Sequence, residues 1–398
     1  MVKRPTHGGN LAWAAEVAGC SPASILDFSA SINPLGVPIS GIMAIESGLK
    51  DLVAYPDPHY RQLREALCEV HNSWKNLTPQ PPSLRGKGGL DLALPSPDRE
   101  GAGEGVDLTL DWILPGNGSA ELLTWAAREL SQLPETVILT PAFSDYQRAL
   151  KAFDANVRGY SLLGGGKEGG EGGFLLSDSC LPPQLGKGGE GLLLNNPHNP
   201  TGLLFSRETL LPLLEKFALV VVDEAFMDFL LPHQEQSLIP LVQDYPNLVI
   251  LRSLTKFYSL PGLRLGYCVT HPDRIERWQK WRDPWSVNVL AEKAGIAVVQ
   301  DTEFAEQTRA WLPKARSQLF SGLSRLSGFY PYPSAANFLL VRCDVSTSQL
   351  QARLLKEKRI LIRDCLSFPE LGDNYFRVAV RSEVDNQRLL AGLEDVRW

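Results

Sequence analysis

Residues Ile250–Tyr267 read ILRSLTKFYSLPGLRLGY, and this segment holds one lysine, Lys256, between two apolar runs. Most lysines are solvated surface charges, but these apolar neighbours predict that Lys256 is shielded from water. Desolvation disfavours the charged amine, lowers its pKa and makes it a nucleophile that can form a Schiff base. The same segment carries a hydroxyl at Ser253 and a guanidinium at Arg264, which are groups that bind phosphate. The segment therefore predicts a nucleophilic lysine beside an anion-binding pair.

Composition limits the classes of protein to which the chain can belong. It has 398 residues, is 44% hydrophobic and carries a formal charge of -6, which fits a two-domain enzyme and disfavours nucleic-acid or anionic-membrane partners. Its six cysteines lack CxxC spacing, which predicts reduced thiols and no metal site. The N-terminal residues include no apolar leader, and no run reaches the roughly 18 apolar residues of a membrane span, so we expect a cytoplasmic protein.

Short apolar runs alternate with helical patterns through the middle of the chain. Five runs predict buried strands, at 136–140, 192–195, 219–223, 248–252 and 263–269. This alternation predicts an α/β fold with a mainly parallel sheet covered on both faces. Ligands of such sheets bind at the carboxyl ends of the strands.

The second part of the chain predicts a different kind of domain. After the last of these strands the pattern changes to two long helices, a strand, another helix and a hairpin-like end. We therefore predict a large cofactor-binding domain at 51–288. A smaller α+β domain would combine 289–398 with residues 1–50, which include an N-terminal arm.

Two segments of the predicted large domain, 78–105 and 163–191, are rich in Pro, Gly and charged residues. They contain the near-repeats PPSLRGKGG at 81–89 and PPQLGKGG at 182–189. Neither has the Ser or Thr after the lysine, or the preceding strand, that a phosphate-binding P-loop needs. We interpret both segments as flexible surface inserts, which solvated loops tolerate at little cost.

Three polar motifs follow predicted strands, at the edge where a ligand would bind. Asp223 ends an apolar run, where it is either a carboxylate at the rim of a buried sheet or a helix N-cap. Asn199–Gly202 (NPTG) by itself indicates a turn. Gly116–Glu121 (GNGSAE) combines a strand end, a glycine turn and a helix start, and helix N-termini bind anions through free N–H groups.

An aromatic residue and three arginines complete the set of candidates. Phe143 follows a predicted strand, a position that a core aromatic would also occupy. Arg363 ends an apolar run, and Arg377 and Arg381 lie four residues apart, on one face of a predicted strand. An arginine in an apolar strand needs an anionic partner, either a carboxylate or phosphate of a ligand or a structural ion pair.

In this chain order the motifs resemble those of the fold-type I enzymes that use pyridoxal 5'-phosphate (PLP), in the branch of the histidinol-phosphate aminotransferases and threonine-phosphate decarboxylases. A Schiff-base lysine beside a phosphate-binding pair is also what PLP itself requires. The resemblance covers nearly the whole chain apart from the inserts and implies a seven-stranded type of sheet. The segments most similar to the threonine-phosphate decarboxylases of cobalamin synthesis are 7–10, 27–36, 251–266, 284–288, 360–365 and 376–382.

The resemblance implies a role for each motif. Lys256 would hold PLP, Asp223 would pair with its pyridine nitrogen, Asn199 would donate to its phenolic oxygen, and Phe143 would stack on its ring. The cofactor phosphate would be bound by Gly118, Ser119, Ala120, Ser253 and Arg264, and by Tyr55 of the neighbouring subunit of a homodimer. The substrate would be bound by His7, Asn33, Asn199, Arg363 and Arg377, with Arg377 on the α-carboxylate.

The resemblance also implies a reaction, the decarboxylation of L-threonine O-3-phosphate to (R)-1-amino-2-propanol O-2-phosphate. Transaminases usually carry a tyrosine three residues after the aspartate, whereas this sequence has Phe226, which cannot donate a hydrogen bond to the phenolic oxygen. That departure fits a decarboxylase. The alternatives are a histidinol-phosphate aminotransferase with the same cofactor and a non-catalytic PLP-binding regulator, for which the sequence offers no helix-turn-helix or basic segment.

Overall fold

The computed structural model describes residues 4–5, 7–73, 107–163, 181 and 185–396. The predicted insert at 78–105 and most of the one at 163–191 lie outside the described residues, so their flexibility stays a prediction. In the described end of the second insert, Leu185 is buried in the core, and Glu190 pairs with Arg158 at 3.1 Å. That part of the insert is therefore packed against the domain.

The structure contains thirteen strands and twelve α-helices within the described residues. The strands are β1 (Leu26–Asp27), β2 (Ile113–Asn117), β3 (Thr136–Thr140), β4 (Val157–Ser161), β5 (Gly191–Asn195), β6 (Leu219–Asp223), β7 (Leu248–Ser253), β8 (Leu265–Thr270), β9 (Phe329–Pro331), β10 (Phe338–Cys343), β11 (Ile360–Leu361), β12 (Arg363–Asp364) and β13 (Tyr375–Ala379). The helices are α1 (Leu11–Ala18), α2 (Ile39–Gly48), α3 (Arg61–Ser73), α4 (Ser119–Leu130), α5 (Ser144–Lys151), α6 (Arg207–Lys216), α7 (Leu254–Phe257), α8 (Pro272–Gln279), α9 (Val289–Val299), α10 (Thr302–Arg325), α11 (Thr347–Arg353) and α12 (Glu383–Asp395). None of the described helices is both long and apolar enough to span a membrane.

The central sheet has seven strands in the order β2-β8-β7-β6-β5-β3-β4. Strand β8 pairs antiparallel with β2 and β7, and the other pairings are parallel, which confirms the predicted mainly parallel sheet. The five predicted runs form β3, β5, β6, β7 and β8, because continuous runs of Val, Ile and Leu are buried on both faces. Strand β4 was not predicted, because it lies at the sheet edge with alternate residues exposed and includes an arginine and a glycine.

The strand order brings the polar strand ends together at one edge of the sheet. Asn195 at the end of β5 is in register with Asp223 at the end of β6, and Asp223 is in register with Leu251 of β7. Two residues after Leu251, β7 ends at Ser253 and leads directly into α7, which carries Lys256.

A second, antiparallel sheet has the order β12-β13-β10-β9 and provides the arginine-bearing strands. The predicted hairpin is present as β12 and β13, but the chain does not end there, because α12 follows and is capped by Ser382, whose hydroxyl accepts from Asp385 N. Helix α9 packs against both α2 and α3 and so joins the two predicted domains. The exact domain boundaries stay a prediction.

Candidate active site

One cavity of about 320 Å³ lies at the carboxyl ends of the central strands, which is within the usual size range of small-molecule sites. Most of the predicted site residues line it. These are His7, Ser119, Ala120, Phe143, Asn199, Asp223, Ser253, Lys256, Arg264, Arg363 and Arg377. The fold therefore brings together side chains as far apart in the sequence as His7 and Arg377, which are 370 positions apart.

Lys256 lies on the short helix α7 and faces this cavity. Burial lowers the pKa of its amine to about 8, and the positive charges of Arg377 and Arg264 act in the same direction. Asp223 opposes this effect with its negative charge. About a tenth of the amine is therefore neutral at pH 7, far more than for a solvated lysine, and the neutral form is the one that attacks as a nucleophile.

Asp223 is held by two hydrogen bonds at the rim of the sheet. The Tyr146 hydroxyl donates to its Oδ2 at 2.8 Å, and Ala225 N donates to its Oδ1 at 3.0 Å. Burial raises the pKa of the Asp223 carboxyl to about 6, although both bonds favour the ionised form. No α-helix begins at Asp223, so the alternative of a helix N-cap is wrong.

Tyr146 was not predicted as a site residue. It is buried on α5 and lies edge-on to Phe143, with ring centroids 5.6 Å apart. In sequence it resembles any core aromatic, and only its position one turn after Phe143 could have indicated a place beside the cavity.

The start of α4 and the residues around it form a cradle suited to an anion. Gly118 precedes α4 with a φ of 71°, and a Cβ there would lie 2.5 Å from Nη2 of Arg264. A Cβ on Gly266 would lie 2.6 Å from Ser119 N. The Ser253 hydroxyl, bonded to Thr255 Oγ1 at 2.7 Å, also lines the cavity. The glycines thus let the Arg264 guanidinium and β8 approach the N-terminus of α4 closely, and a helix N-terminus beside a guanidinium suits a phosphate.

Arg363 and Arg377 face the same cavity from two paired strands. They are directly opposite in the register of β12 and β13, and both are buried. Arg363 donates to Ser367 Oγ at 2.6 Å. Burial lowers the pKa of both guanidinium groups, to about 10 for Arg377, and the charge of Arg363 contributes to the shift at Arg377.

Arg377 has no carboxylate partner among the described residues. It donates through Nη1 to Asn199 Oδ1 and through Nη2 to Ser29 O at 3.2 Å, while its buried Nε has no hydrogen-bond partner there. Arg381, the other predicted arginine of this strand face, instead pairs with Asp385 at 3.1 Å. Of the two roles predicted for these arginines, Arg381 therefore forms a structural ion pair, whereas Arg377 does not.

Three predicted site residues do not line the cavity, namely Gly118, which contacts Arg264 as described above, Asn33 and Tyr55. The Asn33 side chain donates to Phe257 O and Thr308 Oγ1, both at 2.9 Å, and does not line the cavity. Its amide fixes the backbone next to Lys256, and its role in substrate binding stays a prediction. Tyr55 is 78% exposed, so its role across a dimer interface stays a prediction.

A buried group of charges behind the cavity was also missed. Arg252, fully buried, lies 3.0 Å from Glu224, 2.7 Å from Asp228 and 3.2 Å from Glu235. Burial raises the pKa of Glu235 to about 7. Glu224 follows Asp223 and Arg252 precedes Ser253, so this group of charges connects the carboxyl ends of β6 and β7 next to the cavity.

Comparisons of this chain with known families, sequences and structures all find aminotransferases or a related decarboxylase. The family model described as "Aminotransferase class I and II" matches residues 99–393. A threonine-phosphate decarboxylase of Salmonella typhimurium is 38% identical over 98% of this chain and 96% of its own length. A histidinol-phosphate aminotransferase of Symbiobacterium thermophilum is 31% identical over 91% and 88%. The crystal structure of the histidinol-phosphate aminotransferase from Clostridium acetobutylicum is similar with a TM-score of 0.75 and 26% identity, covering 94% of this chain and 99% of that one.

Proposed function

Because the chain belongs to the aminotransferase class I and II family, we propose that it catalyses the PLP-dependent decarboxylation of L-threonine O-3-phosphate to (R)-1-amino-2-propanol O-2-phosphate, a step of cobalamin biosynthesis. The similarity to a threonine-phosphate decarboxylase over nearly all of both chains supports this reaction. The observation that carries the proposal is the pair of opposed, buried arginines, Arg363 and Arg377.

The residues of the cavity fit PLP. Ser119, Ser253 and Arg264 would hold its phosphate, and Gly118 has no Cβ to displace the Arg264 guanidinium. The carboxylate of Asp223 would keep a proton on the pyridine nitrogen. When bound, the cofactor supplies an electron-withdrawing ring that accepts the electron pair left by a bond broken at the substrate Cα.

Two opposed arginines favour a substrate with two anionic groups. Like charges directly across a strand pair repel each other, and burial adds to their cost. L-Threonine O-3-phosphate carries a carboxylate for Arg377 and a phosphate for Arg363. Histidinol phosphate carries a phosphate but no carboxylate, so it would offer Arg377 no carboxylate to bind.

Arg377 would also decide which bond at Cα breaks. Its contacts with Asn199 and Ser29 fix the guanidinium at the wall of the cavity. We propose that it binds and orients the substrate carboxylate, and that this orientation selects the bond to the carboxylate for cleavage. Lys256 Nζ would then deliver a proton to Cα.

Asn199 and Phe226 would set the polarity around the phenolic oxygen of the cofactor. Because Arg377 donates to Asn199 Oδ1, the amide is oriented with its Nδ2 as the remaining donor. Phe226 packs edge-on against Phe338, with ring centroids 5.0 Å apart, and offers no donor. Asn199 would therefore donate to that oxygen without a second donor from position 226, which supports the decarboxylase over the aminotransferase.

A product assay tests the proposal. Purified, PLP-loaded protein is supplied with L-threonine O-3-phosphate and no keto acid, with Lys256→Ala as the inactive control. We expect release of carbon dioxide and aminopropanol phosphate with multiple turnovers. Amino transfer from histidinol phosphate to 2-oxoglutarate without carbon dioxide release would refute the decarboxylase and favour the alternative, a histidinol-phosphate aminotransferase. PLP binding without either reaction would favour a non-catalytic protein.

We further propose that the enzyme acts as a homodimer in the cytoplasm, without nucleic-acid or membrane partners. Exposed apolar side chains continue from α2 to Tyr55, including Ile39 and Val53, and Tyr55 lies 4.5 Å from the ring of Trp285. A second copy covering this patch would remove apolar surface from water and would give Tyr55 a route to the neighbouring site. The five described cysteines are free, which supports a reducing compartment.

A further inference from the structure

The side chain of Arg4 joins the N-terminal arm to the strand that carries Arg363. Its Nε lies 2.7 Å from Asp364 Oδ2, and its Nη2 donates to Gln351 Oε1 at 2.6 Å. Asp364 directly follows Arg363 on β12, and Gln351 Nε2 donates to the carbonyl that precedes Arg363, at 2.7 Å. Arg4 is therefore attached to the chain on both sides of a predicted substrate-binding residue.

The arm then passes along the cavity towards the second arginine. His7 and Gly8 line the cavity. Gly9 N donates to Ser29 Oγ at 2.8 Å, and Ser29 O accepts from Arg377 Nη2 at 3.2 Å. A Cβ on Gly8 would lie 2.3 Å from Ser29 O, so the arm backbone is in direct contact with this segment. The two ends of the arm thus contact the strands or loops that hold the two arginines.

The Arg4–Asp364 pair is more than a surface contact. The Asp364 side chain is 6% exposed and that of Arg4 is 33% exposed. Arg4 is the only ion-pair partner of Asp364 among the described residues. Removing either partner would leave a nearly buried carboxylate or an unanchored arm, and breaking a pair of this kind costs more than losing an exposed one.

We propose that Arg4 and Asp364 are positioning residues that hold His7–Gly9 against the anionic end of the substrate. The arm and the two arginines would then form one binding surface. This inference rests on the proposed site, but it holds for either reaction, because both substrates carry a phosphate. Arg4 would act through the position of the arm and would not itself contact the substrate.

A purely electrostatic role for Arg4 makes a different prediction. The charge of Arg4 disfavours the protonated form of Arg363, so the two cations are within interaction distance. If Arg4 only added positive charge, removing it would weaken binding of the anionic substrate, whereas removing the charge of Asp364 would strengthen it. If the pair positions the arm, both changes weaken binding.

The test compares Arg4→Gln and Asp364→Asn with a matched control, Arg353→Gln. Arg353 forms an ion pair of 3.1 Å with Glu357 and is 31% exposed, close to the values for Arg4. We expect KM for L-threonine O-3-phosphate to rise about five- to tenfold in both test variants, with kcat and the absorbance spectrum of bound PLP unchanged. The control should keep the wild-type KM. KM shifts of opposite sign, or no shift in either test variant, would overturn the proposal.

Hydrogen exchange of the Gly9 amide gives a second test that needs no turnover. In ligand-free, PLP-loaded protein this amide is protected by Ser29 Oγ. Exchange should be faster in both test variants and unchanged in Arg353→Gln. Exchange at the wild-type rate in both would overturn the anchoring role, even if the enzyme proves to be an aminotransferase. If the protein proves inactive towards L-threonine O-3-phosphate, the same KM comparison is made with histidinol phosphate.

Discussion

Replacing Arg377 with methionine should stabilise the ligand-free protein while it removes activity. Arg377 is 9% exposed and has no carboxylate partner among the described residues, so its charge is buried at a cost. Burial lowers its pKa from the usual range of a guanidinium to about 10. At about 1.4 kcal/mol for each pKa unit, this shift corresponds to roughly 3 kcal/mol of destabilisation.

The sign follows from proton linkage. A base whose pKa is lower in the folded state binds its proton more tightly in the unfolded chain, so its charge destabilises the fold. This cost is fully present at neutral pH and is lost only as the pH rises through about 10. The substitution also leaves Asn199 Oδ1 and Ser29 O without their donor, at about 1 kcal/mol each. The net stabilisation is therefore about 1 kcal/mol, or a rise in Tm of about 1–2 °C for a chain of this length.

The same substitution should remove most of the catalytic efficiency. A guanidinium that binds the substrate carboxylate through two charge-assisted bonds contributes about 3 kcal/mol or more. We therefore expect kcat/KM for L-threonine O-3-phosphate to fall at least about 100-fold in Arg377→Met. Added substrate should raise the Tm of the wild type and not that of the variant.

Arg381→Met is the matched control, because Arg381 lies just beyond β13 and its charge is already paired with Asp385. We expect this control to lose up to about 1 kcal/mol of stability and to keep kcat/KM within about twofold. The assays are differential scanning calorimetry of PLP-free protein and initial rates of PLP-loaded protein. An Arg377→Met variant that melts as low as Arg381→Met, or that retains its kcat/KM, would refute the reasoning.

Three further predictions concern the cofactor site. Burial lowers the pKa of Lys256 to about 8, so the rate of PLP capture by the cofactor-free protein should rise with pH and level off above about 8. Stopped-flow absorbance measures this rate, and a rate independent of pH from about 6 to 9 would contradict the prediction. Tyr146→Phe removes a hydrogen-bond donor that lowers the pKa of Asp223, so PLP affinity should be lost at a higher pH on acidification. Fluorescence titration of PLP binding gives the pH midpoint of this loss, and an unchanged midpoint would count against the Tyr146 bond. Gly118→Ala should weaken PLP binding by at least about tenfold, because the new Cβ would clash with the Arg264 guanidinium. Gly36→Ala is the control, because Gly36 has a similar φ of 83° but open space around it, and it should leave PLP affinity unchanged.

The sequence predicted the central sheet because its strands are continuous apolar runs, a pattern that few other structures produce. Asp223 and Lys256 could be found for a related reason, since a charged residue beside such a run is costly unless it serves a ligand or a partner. Helix α12 and the edge strand β4 were missed because their mixed polar patterns also occur in solvated loops.

Chemical type and order along the chain therefore determined the fold class, the cofactor and half of the residues that line the cavity. The tertiary structure decided which polar groups are already occupied by other parts of the protein. It assigns the Asn33 amide to the backbone beside Lys256, pairs Arg381 with Asp385 and leaves Arg377 without a carboxylate among the described residues. It also joins Arg4 to Asp364, 360 positions later in the chain. Such pairings depend on distances of a few ångströms between segments remote in sequence, and no local pattern of residue types records those distances.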